Sequence, residues 1–201
     1  MKLVQAEHYY ATNNPRWIVI HDMEYPKREG AAEWCARYFA GPNAPKKSAH
    51  YCIDPTEIVQ SVRENNGAWH TQGFINGLEI NRFSIGIEHA GYASQNHSQW
   101  LDPSGTRELE QSARLVSQIA KRWNIPIRRL SVDEIQRGES GIAGHIDFNR
   151  ASGTGDHTDP GPGFPWDWYI NRVRGSSSQS KAAWFLAIAV AGFAIWRSQT
   201  K

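Results

Sequence analysis

The chain has 201 residues, which suits one ordinary domain and excludes an array of domains. Hydrophobic residues make up 40% and charged residues 21% of it, so the chain can bury a core. Residues 1–174 hold 19 of the 22 Lys and Arg and all 20 Asp and Glu. A domain this close to neutral lacks the basic surface that nucleic-acid backbones require, so we expect no nucleic-acid partner. Cys35 and Cys52 are too few for a disulfide scaffold or a four-thiolate zinc site, so any metal must use His and carboxylate ligands.

Strands and helices are predicted from apolar periodicity and from turn residues. In chain order, the predicted elements are a buried strand at 17–20, a helix at 29–40, a strand pair at 48–53 and 58–62, a strand at 83–88, a helix at 106–123, a long loop at 141–165 and a short helix at 167–173. This mixture indicates an α/β or α+β domain. A Gly-rich loop as long as 141–165 is uncommon in a compact domain unless it is functional.

The two ends of the chain differ in character. The first 17 residues contain no apolar stretch of signal-peptide length, so we expect no N-terminal signal peptide. At the other end, a Gly/Ser-rich linker at 175–181 precedes fifteen residues, 182–196, without a polar side chain. We therefore predict a domain at 1–174, the linker, and a membrane anchor at 182–196. Such a helix would be about 22 Å long against a hydrocarbon core of about 30 Å, so a helix packed on the domain or in an oligomer is the alternative.

Several titratable residues stand where sites usually form. His21 and Glu88 end predicted strands, while His145, His157 and Asp159 lie in the Gly-rich loop, where Asp147 and Asp156 add two more carboxylates. A catalytic zinc takes three such nitrogen or oxygen ligands and keeps one position open. From residue types alone, a buried core histidine and solvated loop histidines are the favoured interpretation.

The motifs around these residues are more specific. They are WIVIH at 17–21, SAHY at 48–51, AWH at 68–70, FSIGIE at 83–88, GHID at 144–147 and HTDPGP at 157–162. In this order they resemble the zinc-dependent N-acetylmuramoyl-L-alanine amidases related to peptidoglycan recognition proteins and amidase-type phage lysozymes. The resemblance covers about residues 15–173, and it implies an α/β domain with a central mixed β-sheet flanked by helices.

The resemblance also implies roles for individual residues. His21, His145 and Asp159 would bind Zn²⁺, although the spacing between the last two is a few residues longer than usual. Glu88 would be the catalytic acid that exchanges protons with the attacking water and the leaving amine. His157 would stabilise the oxyanion, with a role as third metal ligand as its alternative.

Three further residues match positions that line the family's cleft. His50, Trp69 and His70 are therefore candidates for substrate binding, with a packing role for each as the alternative. His8, His89 and His97 have no motif support and are predicted to lie on the surface.

The function implied is hydrolysis of the amide between N-acetylmuramic acid and L-alanine, in peptidoglycan or in small muropeptides. The alternatives are a non-catalytic muropeptide-binding module of the same fold and a tail-anchored scaffold with a vestigial domain. The lack of a signal peptide favours a phage lysin or a recycling enzyme, whereas the apolar tail favours association with a membrane. The sequence does not indicate an oligomeric state.

Overall fold

The computed structural model describes residues 1–176, and the rest of the chain lies outside this description. The helices are α1 (Ala31–Tyr38), α2 (His97–Trp100), α3 (Pro103–Trp123), α4 (Val132–Gln136), α5 (His145–Ser152) and α6, helical over 166–176. The strands are β1 (Lys2–Leu3), β2 (Tyr9–Tyr10), β3 (Trp17–Asp22), β4 (Tyr51–Ile53), β5 (Ile58–Gln60), β6 (Gly67–Ala68), β7 (Phe74–Ile75), β8 (Leu78–Glu79), β9 (Ser84–His89) and β10 (Gly141–Gly144).

One six-stranded mixed sheet organises the domain, with the strand order β1-β5-β4-β9-β3-β10. Strands β4, β9, β3 and β10 run parallel to one another, and the β4–β5 pair is antiparallel. The carboxyl ends of the four parallel strands therefore meet at one edge, which is where ligands bind in open α/β sheets. The predicted fold class, a single α/β domain with a central mixed sheet flanked by helices, is confirmed.

Helices cover both faces of the sheet because its central strands are apolar on both sides. Ile18 and Ile20 of β3 point to one face, where they pack in a cluster with residues of α3 and α6. Trp17 and Val19 point to the other face, towards a cluster that contains residues of α4 and α5. Helix α1 covers the same side over β4 and β5. Because successive side chains of β3 point to opposite faces of the sheet, this one strand contributes to both hydrophobic clusters.

The long loop predicted at 141–165 is wrong in its first half. Residues 141–144 form strand β10, which pairs with β3, and α5 begins directly after it at His145. Glycines at both ends of β10 hide the strand signal, because glycine is depleted in strands. They are required by packing: a Cβ at Gly141 would lie 2.9 Å from a backbone oxygen, and one at Gly144 2.7 Å from the Pro160 ring.

The anchor predicted at 182–196 falls outside the described residues, as do the linker residues from 177 onwards. Within residues 1–176, none of the helices is both long and apolar enough to cross a membrane.

Candidate metal and catalytic site

Three adjacent strands bring titratable side chains to one edge of the sheet. His21 near the end of β3 is in register with Glu88 of β9. Gly144 ends β10 opposite Ile20, so His145, the first residue of α5, lies beside His21. The two imidazole rings have centroids 4.6 Å apart. Residues separated by more than 120 positions in the chain thus meet because parallel strands end together.

Asp159 reaches this edge from the loop after α5. Its backbone carbonyl accepts a hydrogen bond from the Ile146 amide at 3.0 Å, which ties the loop to the first turn of α5. Two residues later, Gly161 has a φ of 83°, and a Cβ there would lie 1.9 Å from the Ala93 carbonyl oxygen. Only glycine allows this close approach. The loop is therefore held on both sides of the carboxylate.

The carboxylate of Asp159 bridges the two histidines. Its Oδ2 lies 2.9 Å from His21 Nδ1, and its Oδ1 lies 3.0 Å from His145 Nδ1. One ligand atom from each of the three residues lies within 4.8 Å of the others, and all three residues are buried. A tetrahedral zinc separates its ligand atoms by about 3.4 Å, so the donor set fits the ion in both spacing and chemistry.

The electrostatics of the cluster suit a cation. Burial opposes ionisation of Asp159, but the contacts with His145, His157 and His21 outweigh it and hold the pKa of this carboxyl well below its ordinary range. Burial lowers the pKa of His145 to about 4, so its imidazole is neutral at neutral pH. Ionised carboxylate and neutral imidazole are the forms that bind metal.

Glu88 stands next to the cluster in a desolvated position. Its Oε2 is buried and has no hydrogen-bond partner among residues 1–176. Burial, followed by the nearby Asp159 charge, raises the pKa of this carboxyl well above its ordinary value. A cleft carboxyl whose pKa is raised by burial and by a neighbouring charge is a candidate for the general acid and base.

His157 covers the solvent side of the cluster. Its ring stacks on His145 with centroids 4.4 Å apart, and its Nδ1 lies 3.6 Å from Asp159 Oδ1. The nearby Asp159 carboxylate raises the pKa of His157. Its side chain is 49% exposed, so the imidazole lies at the mouth of the site.

Next to His21, His70 forms a hydrogen-bonded chain with His21 and Ser84. His21 Nε2 lies 3.0 Å from His70 Nδ1, and His70 Nε2 lies 3.0 Å from Ser84 Oγ. The Ser84 hydroxyl donates to the Ile80 carbonyl at 2.7 Å, which leaves its oxygen free to accept from His70. The ring of His70 fits only because residue 86 is glycine, since a Cβ there would lie 2.4 Å from it.

The remaining predicted substrate residues occupy different places. Trp69 lines a cleft of about 760 Å³, together with His70, Glu88, His145 and Asp159. His50 is fully buried and is not among the residues that line this cleft. Its Nδ1 accepts from the Gly86 amide, and its Nε2 lies 2.9 Å from the Asn66 carbonyl oxygen. The geometry of His50 thus favours the packing alternative.

The surface prediction for His89 is wrong. This side chain is fully buried, with its Nδ1 3.0 Å from the His21 carbonyl oxygen and its Nε2 2.6 Å from Ser112 Oγ. Ser112 in turn contacts the Tyr169 hydroxyl at 2.6 Å, so α3 and α6 brace the strand that carries His21. His97 is exposed as predicted, and His8 is half-buried against the Trp69 ring.

Sequence reasoning missed Asp22 and the outward face of α1. Asp22 follows His21, lines the cleft, and has a pKa raised by burial to about 8. Trp34 and Tyr38 of α1 also line the cleft and are 44% and 48% exposed. The exposure of Trp34 and Tyr38 could have been predicted from the sequence. Trp34-Cys35 and Tyr38-Phe39 form an apolar stripe two residues wide, which is too wide for a short helix to bury completely.

Comparison with known proteins agrees with this architecture. The N-acetylmuramoyl-L-alanine amidase family model matches residues 11–162. N-acetylmuramoyl-L-alanine amidase A of Achromobacter lyticus is 31% identical over 178 residues, covering 82% of this chain and 86% of the relative. The 1,6-anhydro-N-acetylmuramyl-L-alanine amidase AmpD of Citrobacter freundii is 28% identical over 179 residues, covering 82% and 83%.

Among solved structures, the hydrolase AmiA of Staphylococcus aureus superimposes with a TM-score of 0.67 at 14% identity, covering 90% of this chain and 84% of AmiA. An AmpD structure superimposes with a TM-score of 0.60 at 24% identity, covering 87% and 93%. These likenesses show the fold. The chain therefore belongs to the N-acetylmuramoyl-L-alanine amidase family, whose members hydrolyse peptidoglycan.

Proposed function

We propose that the chain is a zinc-dependent amidase that hydrolyses the bond between the lactyl group of N-acetylmuramic acid and L-alanine. The observation that carries this proposal is the buried cluster of His21, His145 and Asp159 at the bottom of a cleft, with Glu88 beside it. Retention of a complete ligand set supports hydrolysis over binding alone. The cluster opens to a cleft and not to a closed cavity, and an open cleft can accommodate a substrate that extends on both sides of the bond.

When bound, Zn²⁺ supplies a Lewis acid that polarises the scissile carbonyl and makes water more acidic. Glu88 accepts the proton of the attacking water on its Oε2, which has no hydrogen-bond partner among residues 1–176, and delivers a proton to the leaving amine. His157, at the mouth of the site, donates to the carbonyl oxygen as negative charge develops there. Asp159 stays ionised throughout, because its low pKa keeps protons off it.

The direct test uses the full chain and a purified cell wall. The protein is dialysed against a chelator and assayed for new L-alanine amino termini and for new reducing sugar ends, with and without added zinc. We expect amino termini alone, and only with zinc. New reducing ends, or equal amidase activity in the chelated protein, would contradict the proposal.

His157→Ala is expected to retain stoichiometric zinc and to lower turnover by roughly 10²–10³, because the oxyanion loses a hydrogen-bond donor. His157→Lys restores a cation at the same position and should recover much of this loss. The measurement is kcat on a soluble muramoyl peptide, combined with elemental analysis. Loss of zinc in His157→Ala would instead identify this residue as a ligand.

His70→Phe is expected to weaken zinc binding about 10- to 100-fold, the usual effect of removing a partner that orients a metal ligand. His70→Asn should bind zinc more tightly than His70→Phe, because the amide oxygen takes the place of Nδ1 as acceptor for His21. Zinc dissociation constants come from competition with a chromophoric chelator.

His50→Phe is the matched control for this pair. It removes a second buried imidazole, one that bonds the backbone of Gly86 and Asn66. We expect it to lower the melting temperature while changing the zinc dissociation constant far less than His70→Phe does. Equal zinc affinity in the Asn and Phe variants of His70 would contradict a role through the acceptor atom.

A further inference from the structure

Two lysines reach the cleft from the loop between α1 and β4. Lys46 and Lys47 line the same cleft as Glu88, His145 and Asp159, and both lysines are exposed. Five carboxyl groups line this cleft as well, yet within residues 1–176 neither ammonium group forms an ion pair or a hydrogen bond. The cleft therefore presents two positive charges that the described part of the chain does not pair.

The ammonium group of Lys47 faces the reacting groups. Burial raises the pKa of Glu88 and the contact with Asp159 raises that of His157, and in both cases the positive charge of Lys47 opposes the rise. The interaction of two charges weakens with distance, so a lysine that influences both groups lies near both. Lys47 is thus a cation beside the centre at which the amide is cut.

The backbone holds Lys47 in this place. The Lys47 amide donates to the Pro45 carbonyl at 2.7 Å, and the next amide, that of Ser48, donates to the Trp69 carbonyl at 2.9 Å. The Ser48 hydroxyl oxygen accepts in return from the Trp69 amide at 2.9 Å. Ser48 and Trp69 also line the cleft, so the base of the lysine is fixed to the cleft wall while its long side chain keeps its reach.

Resting on the proposed function, we infer that Lys47 binds a carboxylate of the stem peptide, which is the peptide that begins with the L-alanine at the cut bond. Lys47 would thereby make the enzyme select stem peptides with free carboxylates over amidated ones. An ammonium group offers three hydrogen-bond donors and a full charge, and a carboxylate is the acceptor that forms the strongest bonds with it.

The chemistry of the substrate places this anion on the peptide side of the cut bond. The lactyl carboxyl of muramic acid is itself tied up in the amide, and the sugars carry hydroxyl and acetamide groups without charge. The negative charges nearest to the cut bond are therefore carboxylates of the residues that follow alanine. A cation next to Glu88 and His157 is in the right place to meet the first of them.

The expected preference is moderate. Water screens an exposed ammonium group, and a lysine side chain loses rotamer freedom when it binds. We expect a preference of roughly three- to tenfold for the free acid, between the effect of an exposed ion pair and that of a hydrogen bond to a charged group. The preference should shrink at about 1 M salt, where the screening length is about 3 Å.

The test compares two soluble substrates with the zinc-loaded full chain. One is N-acetylmuramoyl-L-alanyl-D-glutamic acid with both glutamyl carboxyl groups free, and the other is the same compound with both converted to amides. We measure the ratio of kcat/KM for the acid to that for the amide. In Lys47→Gln this ratio should fall to about one, through a higher KM for the acid alone, whereas Lys47→Arg should keep most of it.

Two further variants serve as comparisons. Lys121→Gln removes an exposed lysine of α3 that does not line the cleft, and it should leave the ratio unchanged. Lys46→Gln removes the other cleft lysine and should lower the ratio less than Lys47→Gln does. A ratio near one in the unsubstituted enzyme, a ratio that survives in Lys47→Gln, or an equal fall in Lys46→Gln or Lys121→Gln would overturn the inference.

Binding of the same two compounds, measured by calorimetry, separates this inference from the proposed function. The measurement uses zinc-loaded Glu88→Gln, in which the proposed cleavage is slow, with and without Lys47→Gln. We expect the acid to bind several-fold more tightly than the amide, and this difference to vanish when Lys47 is replaced. Such a difference in a protein that cleaves no amide would support the role of Lys47 while refuting the amidase mechanism. Equal affinity for the two compounds, or no measurable binding of the acid, in a chain that does cleave the amide would refute the role of Lys47 alone.

Discussion

Asp159→Ala is expected to abolish both stoichiometric zinc binding and amidase activity. The substitution removes one of three ligands and the only carboxylate that contacts both His21 and His145 within the described part of the chain. A three-ligand site rarely survives this loss, because the remaining imidazoles leave the dication uncompensated. The measurements are elemental analysis after gel filtration and turnover on a muramoyl peptide, which should fall to background.

Asp156→Ala provides the comparison, since Asp156 is an exposed carboxylate three residues earlier in the same loop. It should retain zinc. Circular dichroism of the metal-free proteins checks that Asp159→Ala still folds. If Asp159→Ala kept its zinc while His157→Ala or Asp156→Ala lost it, the ligand set would be wrong and the loop would coordinate the ion through another side chain.

Glu88→Gln is expected to keep zinc and to lower kcat by a factor on the order of 10²–10⁴, the usual size of a general acid and base contribution. The amide has nearly the same shape as the carboxyl but cannot accept and return a proton. Glu88 is half-buried and in register with His21, and its Oε2 is buried. The measurement is single-turnover cleavage with the enzyme in saturating excess over the substrate, which isolates the chemical step.

Glu24→Gln tests whether any nearby carboxylate has this effect. Glu24 is exposed on the loop after β3, and its Oε1 accepts from the Ala93 amide. It should change kcat far less than Glu88→Gln. Similar rates in Glu88→Gln and the unsubstituted enzyme would leave the mechanism without its proton carrier, and attention would turn to Asp22, the other cleft carboxyl with a raised pKa.

The predictions were correct for elements whose sequence has a strong periodic pattern of apolar residues. The β-branched run at 17–20 and the long amphipathic segment of α3 are observed as a strand and a helix. Strand β10 was missed because its sequence, GIAG, has the composition of a loop, and only the packing of Leu130 and Pro160 against it explains its glycines. The start of α5 carried a usable signal, since Asp147 accepts from the Gly144 amide as a helix-capping residue.

The sequence motifs nominated residues for the candidate site, but they did not reveal the residues that pack behind them. Motifs indicated His21, Glu88 and Asp159, and the structure brings these three side chains together at one edge of the sheet. The burial of His89 depends on Ser112 and Tyr169, which come from distant helices, and no pattern around residue 89 encodes those partners. Likewise, His70 could be placed near the cleft, but its contact with His21 depends on the space that Gly86 leaves in β9.

The candidate ligands lie on elements of different local stability, and this difference affects the rate at which a bound metal would exchange with solution. His21 lies on a central strand and His145 directly follows β10, whereas Asp159 lies on a loop held by a few hydrogen bonds. Segments of the last kind open locally at much lower free energy than the sheet does. Opening of this loop would free one ligand while the other two stay in place. Exchange of the ion with solution would then be governed by a loop motion, decoupled from global unfolding, and a chelator would leave behind a folded apoprotein that can be reloaded.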